Sequence, residues 1–429
     1  MCPGTTGTIG TIGATASGAT SKRSRPTQQP MGQVQFPELL VFQATPFCNI
    51  NCSYCYLPNR GSKARMSIDA IGVIAKRIFE YFSPLPPTIS IVWHAGEPLT
   101  MPVDWYRAAF AEIARSLEPG TTVRYSFQTN GTLLNADWLQ LIRDHQIQVG
   151  ISLDGPKEIH DLNRRTRAGK GTFEATMRGV ALLKAAALPF HVIAVLTRPS
   201  IENPDAIFNF FADNKIATIG FNIDEIEAEN KSSTLNDDDA TVTFIEFFRR
   251  LLELNEMHGR PLMIRELQQC LRLILSRPPD FVSTESSPFA IMSVDHLGNC
   301  STFSPELLGM ENAEWDNFTI GNLLTDDLAA ILRGKRYVRL RDAVARGVGH
   351  CRESCEYFEV CGGGAPSNKF YELGTFEGTE TLHCRLMKKA ITEISLAYLG
   401  ARYTQPALSG VAADGCGLAR GASGGVTLA

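Results

Sequence analysis

The sequence predicts an α/β fold of parallel strands, either a barrel or a doubly wound sheet, followed by a smaller, irregular C-terminal domain. Three observations predict it. Short β-branched runs alternate with amphipathic stretches six times between residues 37 and 260, and βα units in series build parallel strands joined by right-handed crossovers. The alternation stops near residue 260, where glycine-rich punctuation and cysteines take over. The polar segments fall directly after the strand runs, at the strand ends where both architectures gather ligands.

Residues 1–36 are rich in Gly, Thr, Ser and Ala, with Lys22, Arg23 and Arg25 as their only charges. Such a segment buries too little apolar surface to offset its ordering entropy and is expected to be a disordered tail. Strand candidates follow at LLVFQA (39–44), TISIVWH (88–94), TVRYSFQ (122–128), QVGISLD (148–154), HVIAVLT (191–197) and TIGFNID (218–224). Between the first two, a helix opening at Ser67 aligns Ile68, Ile71, Ile74, Ile78, Phe79 and Phe82 along one face. A boundary is expected between roughly 255 and 285, giving domains at 37–260 and 261–400. The second contains a turn at Leu297–Gly298–Asn299 and a final helical stretch over 385–399; residues 401–429 are expected to be a flexible Gly/Ala-rich tail.

Charge removes several function classes. Lys+Arg is 41 against Asp+Glu 45, a net charge of -4, which offers nothing to nucleic acid or an anionic membrane surface. No run approaches the roughly 18 apolar residues needed to span a bilayer. The opening MCPGTTGTIG has no basic or apolar region of a secretory signal, so a cytoplasmic location is expected. In that reducing compartment the 11 cysteines are expected to be free rather than cross-linked. They are unevenly placed, with Cys48, Cys52 and Cys55 after the first strand and Cys351, Cys355, Cys361 and Cys384 in the second domain. Cys2, Cys270, Cys300 and Cys416 stand alone.

The first group reads TPFCNINCSYCYLP, or Cys48-x3-Cys52-x2-Cys55. Three close thiolates can hold three corners of a [4Fe–4S] cluster and leave one iron open, whereas structural zinc closes its shell with four ligands. This spacing, with Tyr54 before the last cysteine, resembles the radical S-adenosylmethionine (SAM) enzymes. Later segments match in order: Ala95–Gly96–Glu97–Pro98 is similar to that family's Gly-Gly-Glu-Pro motif, followed by Gln128–Thr129–Asn130–Gly131 and Ser152–Leu153–Asp154–Gly155–Pro156, then Arg164. The resemblance, over roughly 37–225, implies a partial (β/α)6 barrel. It implies SAM chelated to the open iron, with Gly96, Glu97, Asn130, Ser152, Arg164 and Tyr54 around it, and reductive cleavage to a 5′-deoxyadenosyl radical. Arg165 and Arg167 read equally well as a solvated basic patch.

Cys351-x3-Cys355-x5-Cys361 and Cys384 supply four thiolates, enough for one closed [4Fe–4S] cluster or one zinc, with His350 and His383 as adjacent spare ligands. The segment resembles the C-terminal SPASM domain that binds auxiliary clusters in peptide-modifying radical SAM enzymes. Two family cysteines are replaced, by Phe303 and Ala365. One auxiliary [4Fe–4S] cluster is therefore expected, with Cys300 outside it; a degenerate site recruiting Cys300 and Cys270 is the alternative. TPFCNINCSYCYLPNR, FNIDEIE, TFSPELLG and CGGGAPSNKFYELGTFEGTETLHC resemble the glycine-rich-repeat (Grr-type) peptide maturases. That subgroup joins an aromatic ring carbon to a β-carbon two residues away, as a cyclophane. It implies a Gly-rich ribosomal precursor peptide as partner and a flavodoxin- or ferredoxin-type electron donor. Asp224 and Glu225, ending the sixth strand, are candidate acceptors for the proton lost in coupling, or a pair of loop carboxylates. The rival readings are sulfatase maturation, thioether cross-linking and a non-catalytic iron–sulfur or zinc protein.

Overall fold

The computed structural model describes residues 34–404. The strands are β1 (Leu39–Phe42), β2 (Thr88–Trp93), β3 (Thr122–Thr129), β4 (Gln148–Ser152), β5 (Phe190–Leu196), β6 (Thr218–Ile223), β7 (Met263–Ile264), β8 (Ile291–Val294), β9 (Asn299–Thr302) and β10 (Gly321–Asn322). They form one sheet in the order β10-β9-β8-β1-β2-β3-β4-β5-β6-β7. From β1 to β7 every neighbour is parallel, with registers such as Leu40 beside Ile91 and Val149 beside Phe190. The fold is thus the expected α/β partial barrel of parallel strands. All four residues of β1 are buried, as parallel strands covered on both faces require.

The six expected strands are all present, each within two residues of its expected limits. The crossover helix Ile68–Tyr81 is capped by Ser67, whose hydroxyl accepts from Ala70 N, and buries Ile71, Ile74, Ile78 and Phe79. Phe36, the last residue of the expected N-terminal tail, packs edge-on against Phe82, and helix Ile391–Thr404 runs past residue 400. Residues 1–33 and 405–429 of the expected tails lie outside the described residues.

The sheet crosses the point where the alternation ends. Strand β8, beyond the expected boundary, pairs in parallel with β1, Leu40 beside Met292, and the described residues from Gln35 onward cluster as one compact unit. The expected turn at 297–299 joins β8 to β9 as an antiparallel hairpin. Gly298 has φ +82°, and a Cβ there would lie 2.5 Å from Leu324 Cγ. Helices Lys335–Ser354, Phe358–Cys361 and Pro366–Leu373 come next, and the last helix opens with a π-helical turn over Cys384–Ala390, a distortion frequent at functional sites. Among the described residues no helix is long and apolar enough to cross a membrane.

Candidate functional site

The loop after β1 is held by backbone rather than by its cysteines. Asn51 N donates to Arg165 O (2.6 Å), Ser53 N to Asn163 O (3.1 Å), and Arg60 Nη1 to Cys52 O (3.0 Å). Arg167 donates from Nε and Nη2 to Cys48 O at 3.1 and 2.9 Å, with its guanidinium over the Phe47 ring. Arg167 is exposed, yet it clamps the cysteine loop through these contacts. The Ala95–Pro98 turn is stitched to the same loop by Glu97 N to Phe47 O at 2.8 Å. Gly96, at φ +126°, packs so closely that a Cβ would sit 2.1 Å from Thr45 O. Ala95 has φ +62°, a left-handed conformation glycine adopts freely, which gives a physical reason for the glycine of the related motif.

Glu97 is buried, and its carboxylate accepts from Leu99 N (2.9 Å), Thr129 Oγ1 (2.6 Å) and Asn130 N (2.8 Å). Three of a carboxylate's four acceptor positions are thus taken, leaving one for a ligand. Burial pushes its pKa up to about 7 against those three bonds. Asn130 Nδ2 donates to Asn49 Oδ1 (2.9 Å) and stands 4.0 Å from Cys48 Sγ. Ser152 Oγ accepts from Gln128 Nε2 at 3.0 Å. Burial raises Cys48 to about 12, with Glu97 adding to it, and Cys52 to about 11, opposed by the Arg164 charge. Both thiols feel Cys55 as well, so the three share one electrostatic neighbourhood. Thiols this hard to ionise need a cationic partner to become thiolates, and a bound metal centre supplies one.

Arg164 and Tyr54 converge on Asp154, which the sequence presents only as the end of a strand run within the Ser152–Pro156 segment. Arg164 Nε and Nη2 meet the two Asp154 oxygens at 3.0 Å each, both residues being buried. Tyr54 OH also donates to Asp154, and Val195 N donates to it at 2.9 Å. The ion pair thereby ties the cysteine loop to the ends of β4 and β5. No spacing in the sequence signals a pair ten residues apart across a short helix.

Cys351, Cys355, Cys361 and Cys384 line one cavity of about 310 Å³. Burial raises Cys361, and raises Cys384 to about 12 with Cys361 adding to it. Four thiols on one cavity are a donor set that fits one closed [4Fe–4S] cluster. Cys300 and Cys270 lie apart: Cys300 Sγ is buried 3.3 Å from Gly321 O, and Cys270 Sγ 3.7 Å from Thr392 Oγ1. Every described cysteine is a free thiol.

The two carboxylates after β6 differ. Asp224 is buried and orders its own loop, accepting from Asn230 Nδ2 at 2.9 Å and Thr234 N at 2.8 Å. Glu225 reaches across to the C-terminal segment, with Oε1 2.5 Å from His383 Nδ1 and Oε2 accepting from Asn368 Nδ2 at 3.1 Å. Burial would raise it, but the His383 charge and these hydrogen bonds hold it below the usual carboxylate range. Neither is a solvated loop group.

Glu227, also buried, is pushed well above its ordinary value by burial and then by the charges of Glu306 and Glu225. The folded chain therefore keeps a proton there that the unfolded chain releases, so stability falls as pH rises from the ordinary carboxylate value toward the raised one. Glu227→Gln, which fixes the neutral form, is expected to raise the thermal midpoint at pH 8 more than at pH 5. An equal shift at both pH values would contradict the assignment.

The chain as a whole is similar to known proteins. Residues 42–211 match the radical SAM superfamily. An uncharacterized protein of Synechocystis sp. is 40% identical over 366 residues, 84% of this chain and 92% of its own length. A serine-type anaerobic sulfatase-maturating enzyme of Bacteroides thetaiotaomicron is 34% identical over 170 residues, 39% of this chain and 41% of its own. In fold, the chain is similar to native anSMEcpe with bound AdoMet and Cp18Cys peptide, with TM-score 0.70 and 20% identity over 85% of this chain and 98% of that one.

Proposed function

The chain belongs to the radical SAM superfamily, and from that premise we propose that it cross-links a ribosomally made, Gly-rich precursor peptide by joining a side-chain β-carbon to a nearby aromatic ring. It is an enzyme related to the anaerobic sulfatase-maturating enzymes, and it uses SAM with [4Fe–4S] clusters. Bound together, SAM and the open-iron cluster supply a hydrogen-abstracting radical. We assign Cys48, Cys52 and Cys55 to that cluster. Gly96, Glu97, Asn130, Ser152, Arg164 and Tyr54 frame the SAM site, and Cys351, Cys355, Cys361 and Cys384 hold one auxiliary cluster. A flavodoxin- or ferredoxin-type donor in a reducing cytoplasm would serve as reductant.

The observation that carries the coupling chemistry is the placement of Glu225. Joining a carbon radical to a ring leaves one proton and one electron to remove before aromaticity returns. Glu225, at the C-terminal end of β6, is a carboxylate held ionised, and its partner His383 precedes Cys384 of the four-thiol cavity. An acceptor for the proton and a site for the electron therefore stand together. Asp224, spent on its own loop, serves to aim Glu225.

Two measurements test this. A candidate Gly-rich peptide co-expressed anaerobically is expected to lose two hydrogens per linked motif, to stay inert to hydrazide and to stay unmodified with Cys48→Ala. A hydrazide-reactive product would instead mean an aldehyde, as sulfatase maturation makes. Glu225→Gln is expected to keep SAM cleavage while cross-linked product falls about 10²- to 10⁴-fold, the usual worth of a positioned base. An unchanged ratio of peptide product to 5′-deoxyadenosine would remove Glu225 from that role.

A further inference from the structure

Lys369 is 4% exposed, and lysine is almost never so buried unless its charge is paired. Its Nζ donates to Gly347 O at 3.0 Å and to Cys351 Sγ at 3.2 Å. Among the described residues no carboxylate forms an ion pair with it, so the ammonium faces the thiol. The placement is built from three elements. Helix Pro366–Leu373 carries the lysine. Helix Lys335–Ser354 carries Gly347 and, one turn on, Cys351. Gly347 is packed so tightly that a Cβ would stand 2.1 Å from Phe376 O, which fixes the helix against the segment leading to Cys384. A cation walled in this way calls for an anion in the adjoining cavity, and a thiolate-bound cluster is one.

We propose that Lys369 is a positioning residue for the auxiliary cluster, and that its charged N–H···S bond to Cys351 raises the potential at which the cluster accepts an electron. This rests on the auxiliary cluster assigned above to the four thiols. Uptake of one electron adds one negative charge to a centre already carrying thiolates, and a hydrogen-bonded cation stabilises the more negative form further. Hydrogen bonding to the sulfurs and burial are the protein's means of setting such potentials. In the coupling reaction, the effect is to make the cluster a readier acceptor for the electron released as the ring regains aromaticity.

The test is a potentiometric titration of the full chain with both clusters loaded, followed by electron paramagnetic resonance. The signal unmoved by added SAM reports the auxiliary cluster. Lys369→Met is expected to lower its midpoint by at least a tenfold change in the reduction equilibrium, about 59 mV for one electron. Lys369→Arg, keeping charge and donors, is expected to recover most of the shift. An unchanged midpoint in Lys369→Met at full iron content would overturn the proposal. Should that variant fail to load iron, wild-type protein carrying ¹⁵N-lysine decides the matter: the reduced auxiliary signal is expected to show ¹⁵N coupling that Lys369→Arg removes, and its absence overturns the proposal. A wild-type chain that loads about four iron with no SAM-insensitive signal would instead fail the cluster assignment itself, and the lysine's role with it.

Discussion

Alanine at Cys48, Cys52 or Cys55 leaves a folded chain that releases no 5′-deoxyadenosine; that is the expected result, and the largest activity effect in the molecule. The fold should survive because the loop is fastened by groups the substitutions do not touch: Arg167 and Arg60 on carbonyls, Asn51 and Ser53 on the 163–165 backbone. The chemistry should not survive, because three thiols are the set that leaves a single iron for SAM to chelate. Iron should fall from about eight to about four per chain, since each cluster holds four. Cys300→Ala is the contrast. Its thiol is buried against Gly321 O, away from both groups, so iron and SAM cleavage should stay at wild-type levels while stability drops slightly. SAM cleavage persisting in Cys52→Ala would refute the assignment of the first group; iron lost in Cys300→Ala would revive a site built on that cysteine.

The parallel half of the fold was legible because its strands are long, β-branched and separated by helices with clear apolar faces, as Ile71, Ile74 and Ile78 show. The strands beyond β6 were not legible. Strands β7 and β10 have two residues each, and β8 and β9 four, too short for any period to declare itself. The place of β8, β9 and β10 depends on β1 having a free side, and that of β7 on the outer edge of β6, which no local pattern reveals. The candidate site divides the same way. Cysteine spacing and the Gly96–Glu97 turn are local signals, and the structure brings Glu97, Asn130 and Cys48 together. The contacts that tune them join distant residues: Asp154 to Arg164, Arg167 to Cys48 O, Glu225 to His383 and Lys369 to Cys351. Arg164, Glu225, His383 and the cysteines stand out in sequence, but which residue each engages does not. The contrast between Asp224 and Glu225 was likewise invisible, because it depends on whether a carboxylate's hydrogen-bond donors come from its own loop or from a segment some 150 residues away.

The largest stability effect is expected at Asp154. Removing one partner of a buried, hydrogen-bonded ion pair costs about 3–5 kcal/mol, because the remaining charge is stranded without solvent. Asp154→Ala strands Arg164, and it also leaves Tyr54 OH and Val195 N without their acceptor. The destabilisation should therefore reach that range, read as a fall in the denaturant midpoint between samples in the same cluster-loading state. Arg164→Met should cost a comparable amount. The double variant should cost clearly less than the two single losses added together, since with both charges gone nothing ionic is left buried. If the losses simply add, Asp154 and Arg164 do not act as a pair. A second consequence separates this pair from a purely structural one. The Arg164 charge opposes the burial that keeps Cys52 protonated, so Arg164→Met should slow cluster reconstitution most at low pH, where thiolate is scarcest. Asp154→Ala leaves that charge in place, unneutralised by its carboxylate, so its reconstitution should not slow in the same way even though its fold is equally weakened. Different reconstitution rates at equal loss of stability would show the arginine acting on the cysteine loop through its charge as well as through its packing.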